Sequence, residues 1–442
     1  MGLLAVASTP LAALDKGGKP TATALQRYVA RPEPKFAWTL KEKKAVTGGT
    51  VHSLRLVSQE WQGILWEHDL EIYVPTGTTP KETMVLRNTG GGANSRNQLL
   101  GMLLAQKMTA PMAILYHSPN QPLLGNKKED DLISETFLRY MKTKDDSWPL
   151  LFPMAKSVIK AMDAVQAYVA QEWPEHPVKK FVVTGESKRG WTTWLTAATG
   201  DARVKAIIPV VIDTLNMPKQ LPHQLEMFDG KYSEQIVDYT GKGLADLLQV
   251  SDGRDLIDMV DPYSYVERYT MPKFIVNGAN DRYWTVDALN FYWDDLPNPK
   301  WFLNVPNAGH NLQEKVDGKP PSLDRAINGI AAFAKHQIED KPLPQLSWKH
   351  DDANGQHRLT AHSSVKPLGA RLWVAHHKNK DFRDAKFEAK PAEINGDGTI
   401  LATLPPPSDG YAAYYLEMDF AIGDLKYNLS SQVRVVGNGG AK

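Results

Sequence analysis

The sequence predicts an α/β chain: a mostly parallel sheet with helices on its faces, followed by an all-β C-terminal part. Three observations carry this reading. Short apolar runs at 83–88, 112–116, 180–186, 204–212, 273–278 and 301–305 alternate with helical stretches, as in a buried parallel sheet. One of these runs ends in Gly185-Glu186-Ser187-Lys188-Arg189-Gly190-Trp191, where a strand gives way to a helix across a sharp turn. Pro342-Leu343-Pro344 then marks a change to short alternating strands, with turns at Asn354-Gly355 and Asn395-Gly396-Asp397-Gly398.

In chain order, residues 14–50 are polar and rich in Pro and Gly, and read as an extension with a short helix. Residues 51–60 and 63–74 read as a hairpin. Helical spacing recurs at 98–107, 130–142 and 150–172, the last with Val158, Met162, Val165 and Tyr168 on one face. Residues 213–271 form a long insertion between two strands and are expected to cap the site, with helical periods at 233–239 and 243–248. Residues 323–337 read as the closing helix. The expected domains are 14–341 and 342–442, the second an Ig-like β-sandwich with its clearest strands at 371–376 and 411–418.

The turn at Ser187 exposes a hydroxyl above the sheet, and a serine needs a base to become a nucleophile. Asn277-Gly278-Ala279-Asn280-Asp281 and Pro306-Asn307-Ala308-Gly309-His310 both follow strands, at the sheet end where α/β folds build sites. Ser187, Asp281 and His310 occur in the order of the α/β-hydrolase fold. In this reading His310 deprotonates Ser187, and Asp281 fixes the histidine tautomer. Asp213 is the runner-up acid; His117 and His223 are alternative bases, but neither follows Asp281. The Gly90-Gly91-Gly92 loop, after its own strand, suits an oxyanion donor, with Gly91, Gly92 and the N–H of Lys188 as candidates. Glu186, Arg189 and Trp284 are the candidate substrate contacts. Arg189 stands where such elbows usually carry glycine, and it reads as too large to point inward. One of the Lys188 and Arg189 cations is therefore expected to face solvent or an acid on the cap.

The decapeptide 185–194, Asn88-Thr89-Gly90-Gly91-Gly92 and Asn277-Gly278-Ala279-Asn280-Asp281 resemble the PhoPQ-activated pathogenicity-related protein family. The resemblance runs from about Tyr28 to the C-terminus. It implies an α/β-hydrolase fold, an exported bacterial protein and a link to resistance against antimicrobial peptides. The Ser-Lys-Arg-Gly elbow is also similar to the Ser-Arg-x-Gly elbow of glucuronoyl esterases, where a cation beside the nucleophile helps the oxyanion; Lys188 occupies that position.

Composition narrows the function classes. With 42% apolar residues in 442, the chain can build a sizeable core. A net charge of +1 gives no electrostatic case for nucleic acid. The absence of cysteine removes disulfides, thiolate metal sites and a cysteine nucleophile. No metal-ligand spacing occurs, so neither a metal nor another cofactor is expected, and His376-His377 reads as structural. Residues 1–13 read as a signal-peptide remnant, so a periplasmic or secreted location is expected. No run is long and apolar enough for stable membrane insertion. The expected partner is a small ester or peptide, in an oligomeric state that the sequence leaves open. A carboxylic-ester hydrolase leads, a serine peptidase is the alternative, and a non-enzymatic binding or signalling protein on the same fold is the third reading.

Overall fold

A computed structural model describes residues 22–248 and 251–438; the signal-peptide reading of 1–13 lies outside these. Nine strands form one mixed sheet: β1 (Ala37–Val46), β2 (Gly49–Trp61), β3 (Ile64–Pro75), β4 (Thr83–Asn88), β5 (Met112–Leu115), β6 (Lys180–Glu186), β7 (Val204–Val210), β8 (Lys273–Gly278) and β9 (Lys300–Val305). Their spatial order is β1-β2-β3-β5-β4-β6-β7-β8-β9. The first three are antiparallel and β3 pairs antiparallel with β5, whereas every pair from β5 through β9 is parallel. With the elbow after β6, this is the α/β-hydrolase fold.

The helices are α1 (Ala24–Val29), α2 (Ser95–Met108), α3 (Glu129–Thr143), α4 (Leu151–Glu172), α5 (Lys188–Ala198), α6 (Met217–Met227), α7 (Val237–Thr240), α8 (Leu244–Leu247), α9 (Arg254–Val260) and α10 (Asp324–Ile338). Side chains alternate across a strand, so β4 sends Met84 and Leu86 to one face and Val85 to the other. The first face packs on α3, α4 and α5; the second packs on α2 and α10. This double cover explains why β4 and β8 are buried at every residue.

Two differences from the sequence reading have physical causes. Residues 37–46 are a strand, not an irregular extension. β1 is an edge strand, almost wholly exposed and carrying Lys41, Lys43 and Lys44, so it lacks an apolar signature while discouraging further strand pairing. The insertion 213–271 also contains α6, which sequence periodicity missed because Pro222 interrupts it. The β2–β3 hairpin turns through Gln62 and Gly63, both at positive φ, as a two-residue primed turn requires.

Residues 346–437 form two antiparallel sheets, β10 (Leu346–Ala353), β11 (Gln356–Ser363), β14 (Glu393–Ile394) and β15 (Thr399–Leu404) in one, β12 (Gly369–His377), β13 (Glu388–Pro391), β16 (Tyr411–Ile422), β17 (Leu425–Ser430) and β18 (Arg434–Gly437) in the other. Leu359, Ala361, Ile400 and Ala402 of the first share a core with Leu372, Val374, Tyr414 and Leu416 of the second, which makes a sandwich. It is fixed to the larger sheet and to α10 by polar bonds: the Asn304 N–H donates to Ser430 Oγ (3.1 Å), and Arg325 of α10 pairs with buried Glu417 (2.6 Å).

The loop 378–387, between β12 and β13, reaches back to the parallel sheet. The Asn280 amide donates to the carbonyls of Phe382 and Ala385, both at 2.8 Å. The Asn307 amide donates to Phe387 O (2.9 Å), and the Phe387 N–H donates to Asn307 Oδ1 (2.8 Å). Among the described residues no helix is long and apolar enough to cross a membrane.

Candidate active site

Ser187 sits between β6 and α5 at φ 57°, ψ −125°. A non-glycine residue with this backbone is strained, and the surroundings enforce it. A Cβ on Gly185 would come within 2.6 Å of Arg189 O, and one on Gly190 within 2.6 Å of Ile212 Cγ2. The close helix–strand packing therefore rests on Gly185 and Gly190, which leaves position 189 free to carry a side chain. The N–H of Lys188 begins α5, where helix donors lack intrahelical acceptors.

His310 and Asp281 come together from the loops after β9 and β8. His310 Nδ1 lies 2.8 Å from Asp281 Oδ2, and Asp281 is 6% exposed. The carboxylate is aimed by the Tyr283 N–H, which donates to Asp281 Oδ1 (2.9 Å). Asp281 thereby closes a turn, and the next helical turn starts only at Ala288. His310 Nε2 is buried and has no hydrogen-bond partner. The Tyr283 ring lies 4.3 Å from the His310 ring. Asp213 is elsewhere engaged: the Tyr292 hydroxyl donates to it, and complete burial pushes its carboxyl up to about 7. His117 pairs with Asp69 (3.1 Å) and His223 with Asp287 (2.9 Å).

Both elbow cations are buried; neither faces solvent or an acid on the cap as expected, because acids at the N-terminus of α3 hold them. Lys188 Nζ donates to Asp130 Oδ2 (2.6 Å). Arg189 donates to Glu129 through two nitrogens (2.6 and 2.8 Å) and to Ser118 O (2.5 Å). Burial alone would raise the Glu129 carboxyl, but Arg189 holds it down at about 2. The Arg189 side chain points inward because Gly90 makes way: a Cβ there would lie 1.7 Å from its terminal nitrogen. Asp130 also accepts from the Tyr239 hydroxyl (2.9 Å), tying the insertion to the elbow. Sequence reasoning missed Glu129 and Asp130. The signal available was the pair of buried-type cations at a helix start, which opposes the dipole and calls for acids nearby.

Two spaces open beside Ser187. An apolar slot of about 70 Å³ is lined by Ser187, His310, Trp191, Leu221, Ile236 and Trp284. Trp284 thus reaches the site, and its Nε1–H is buried without an acceptor. A polar mouth of about 320 Å³ is lined by Ser187, His310, Gly90, Gly91, Glu129 and Glu186. Glu186 is held there by Arg87 at 2.7 and 3.0 Å. Arg189 also borders the mouth, with its guanidinium already bound. Gly92 differs from Gly91: its Cα faces the His117 ring, 3.0 Å from where a Cβ would be.

The model of one protein family, described as PhoPQ-activated pathogenicity-related protein, matches residues 25–383. The chain belongs to this family. Autocrine proliferation repressor protein A of Dictyostelium discoideum is 30% identical to it over 461 residues, covering 94% of this chain and 91% of that protein. Among solved structures, an acetyl xylan esterase from Paenibacillus sp. R4 is 13% identical over 65% of this chain and 86% of its own, with a TM-score of 0.46. A glucuronoyl esterase from Solibacter usitatus is 13% identical over 75% and 98%, with a TM-score of 0.44.

Proposed function

We propose that this family member is a serine hydrolase that cleaves carboxylic esters of short apolar acids. One observation carries the reading: a strained Ser187 shares its cavities with a histidine whose Nδ1 is fixed by a buried aspartate and whose Nε2 has no other partner. His310 takes the Ser187 proton as Oγ attacks the acyl carbon, and Asp281 stabilises the imidazolium. The N–H of Lys188, with a donor from the Gly90-Gly91 turn, receives the oxyanion. The imidazolium then protonates the departing alcohol, and water releases the acid by the reverse sequence. The slot beside Ser187 suits a few carbons, since a dry cavity of about 150 Å³ holds a benzene and this one is about 70 Å³.

The peptidase alternative gains one feature: Glu129 joins Glu186 at the mouth, giving two carboxylates to meet a substrate amine. Each is already matched by a bidentate arginine, so the mouth has no surplus negative charge, and this favours the ester. The triad positions are intact, which weighs against a purely signalling role. A fluorophosphonate label, then a panel of acetyl to octanoyl nitrophenyl esters and dipeptide anilides, tests the reading. Labelling of Ser187 with turnover of acetyl and propionyl esters supports it; turnover of anilides alone would make the chain a peptidase. Export to the periplasm or medium belongs to the same proposal, and cell fractionation checks it.

A further inference from the structure

We propose that the loop 378–387 of the sandwich builds a leaving-group subsite against His310, and that this subsite takes an alcohol carrying a carboxylate or phosphate. The proposal rests on the serine-hydrolase reading and adds the substrate's other half.

A third cavity, about 580 Å³, begins at Tyr283 and His310 and runs out between the His310 loop, residues Asn280 to Tyr283 and the loop 378–387. It does not touch Ser187. Its position follows the chemistry of the first half-reaction. The bond from Ser187 Oγ to the acyl carbon forms as the bond from that carbon to the alcohol oxygen breaks. The electron pair stays on the alcohol oxygen, which takes the proton His310 Nε2 removed from Ser187. The departing group therefore has to lie on the His310 side, while the acyl group stays in the slot beside Ser187.

The lining sets the class of alcohol. Arg282, Lys315, Arg383 and Lys386 border the cavity against only Asp317 and Asp384. Arg282 pairs with Glu234 and Asp384, Arg383 with Glu234 and Asp381, and Lys386 with Asp317. Lys315 has no ion-pair partner among the described residues and is exposed. Lys315 is therefore the uncommitted cation of a lining with few apolar side chains, and such a cation recognises an anion through charge-assisted hydrogen bonds. The cavity is also a built site. Asn280 and Asn307, beside Asp281 and just before His310, bind the backbone of 378–387 through both sides, and Arg383 stacks 3.9 Å over the Phe228 ring of the insertion.

The test uses the full chain and two acetyl esters, one of a neutral aryl alcohol and one of an aryl alcohol bearing a carboxylate, with a phosphate-bearing ester as a further arm. The wild type is expected to favour the anionic esters by tenfold or more in kcat/KM at low salt, with the preference shrinking in high salt. Lys315→Glu and Lys386→Glu should each lower the ratio of anionic to neutral kcat/KM by tenfold or more, mainly through KM. The carboxylate and phosphate arms say which anion is preferred. A wild type without preference, or variants that leave the ratio unchanged while folding with the same melting temperature, would overturn the subsite. No fluorophosphonate labelling and no turnover of either ester would instead overturn the serine-hydrolase reading beneath it.

Discussion

Two histidine–aspartate pairs lie near the insertion, one of them reaching into it, with nearly the same separation and different surroundings. His310 meets Asp281 through Nδ1 at 2.8 Å and keeps Nε2 free of partners. His223, on α6, meets Asp287 through Nε2 at 2.9 Å and has Glu226 3.6 Å from Nδ1. A base needs one ring nitrogen held and the other open toward a proton donor. His310 meets that condition, and its open side borders the cavities of Ser187. His223 has acids at both nitrogens and ties α6 to Asp287, in the segment after β8. The separation of a histidine from an aspartate therefore says little; the environment of the second nitrogen decides the role.

The largest expected effect tests the first pair. Ser187→Ala should abolish fluorophosphonate labelling and lower kcat by about 10⁴-fold or more, with the melting temperature retained. Substantial turnover in this variant would remove the distinction altogether. Next, Asp281→Asn should slow turnover by roughly 10⁴-fold, whereas Asp287→Asn should change kcat less than about tenfold, because Asp287 orients no reacting group. Equal losses in measured rate constants would break the comparison.

Two smaller effects sharpen it through pH. Burial lowers the His223 pKa, but Asp287 and Glu226 more than reverse this and leave it raised. A raised histidine stabilises the fold below its unfolded pKa, and that contribution is lost as pH rises through the folded value. Asp287→Asn should accordingly lower the melting temperature by several degrees near pH 5 and by much less near pH 9, as calorimetry can measure. Asp213, the runner-up acid, behaves in the opposite sense. Its folded carboxyl is pushed up to about 7, so the native state holds a proton that the unfolded chain releases at lower pH. Wild-type stability therefore falls between about pH 4 and pH 7 on this account, and Asp213→Asn should gain a few degrees relative to wild type at pH 8 but not at pH 4.

Much of this was legible in the residues. The three site positions follow strands whose apolar runs are continuous because both faces are covered, and such runs are easy to read. The turn at Asn354-Gly355 was legible from turn chemistry and the β2–β3 hairpin from its two strands and short connection, and the turn residues of both have positive φ values. Three things were not. β1 is hidden by its lysines, since an exposed edge strand has no apolar period. The acids for Lys188 and Arg189 lie on α3, about sixty residues away in sequence, and only tertiary packing brings them to the elbow. The loop 378–387 carries no motif at all; its role comes from two asparagines on other loops that bind its backbone.

The passage of Arg189 across Gly90 has a consequence for inheritance. A side chain at position 90 and a guanidinium at position 189 compete for the same space, so neither position can drift alone. Homologues that lose the glycine should also have replaced the arginine with a small residue, and with it the acid at position 129. The three sites would then change as one linked character, and Gly90→Ala combined with Arg189→Gly should restore folding that Gly90→Ala alone impairs.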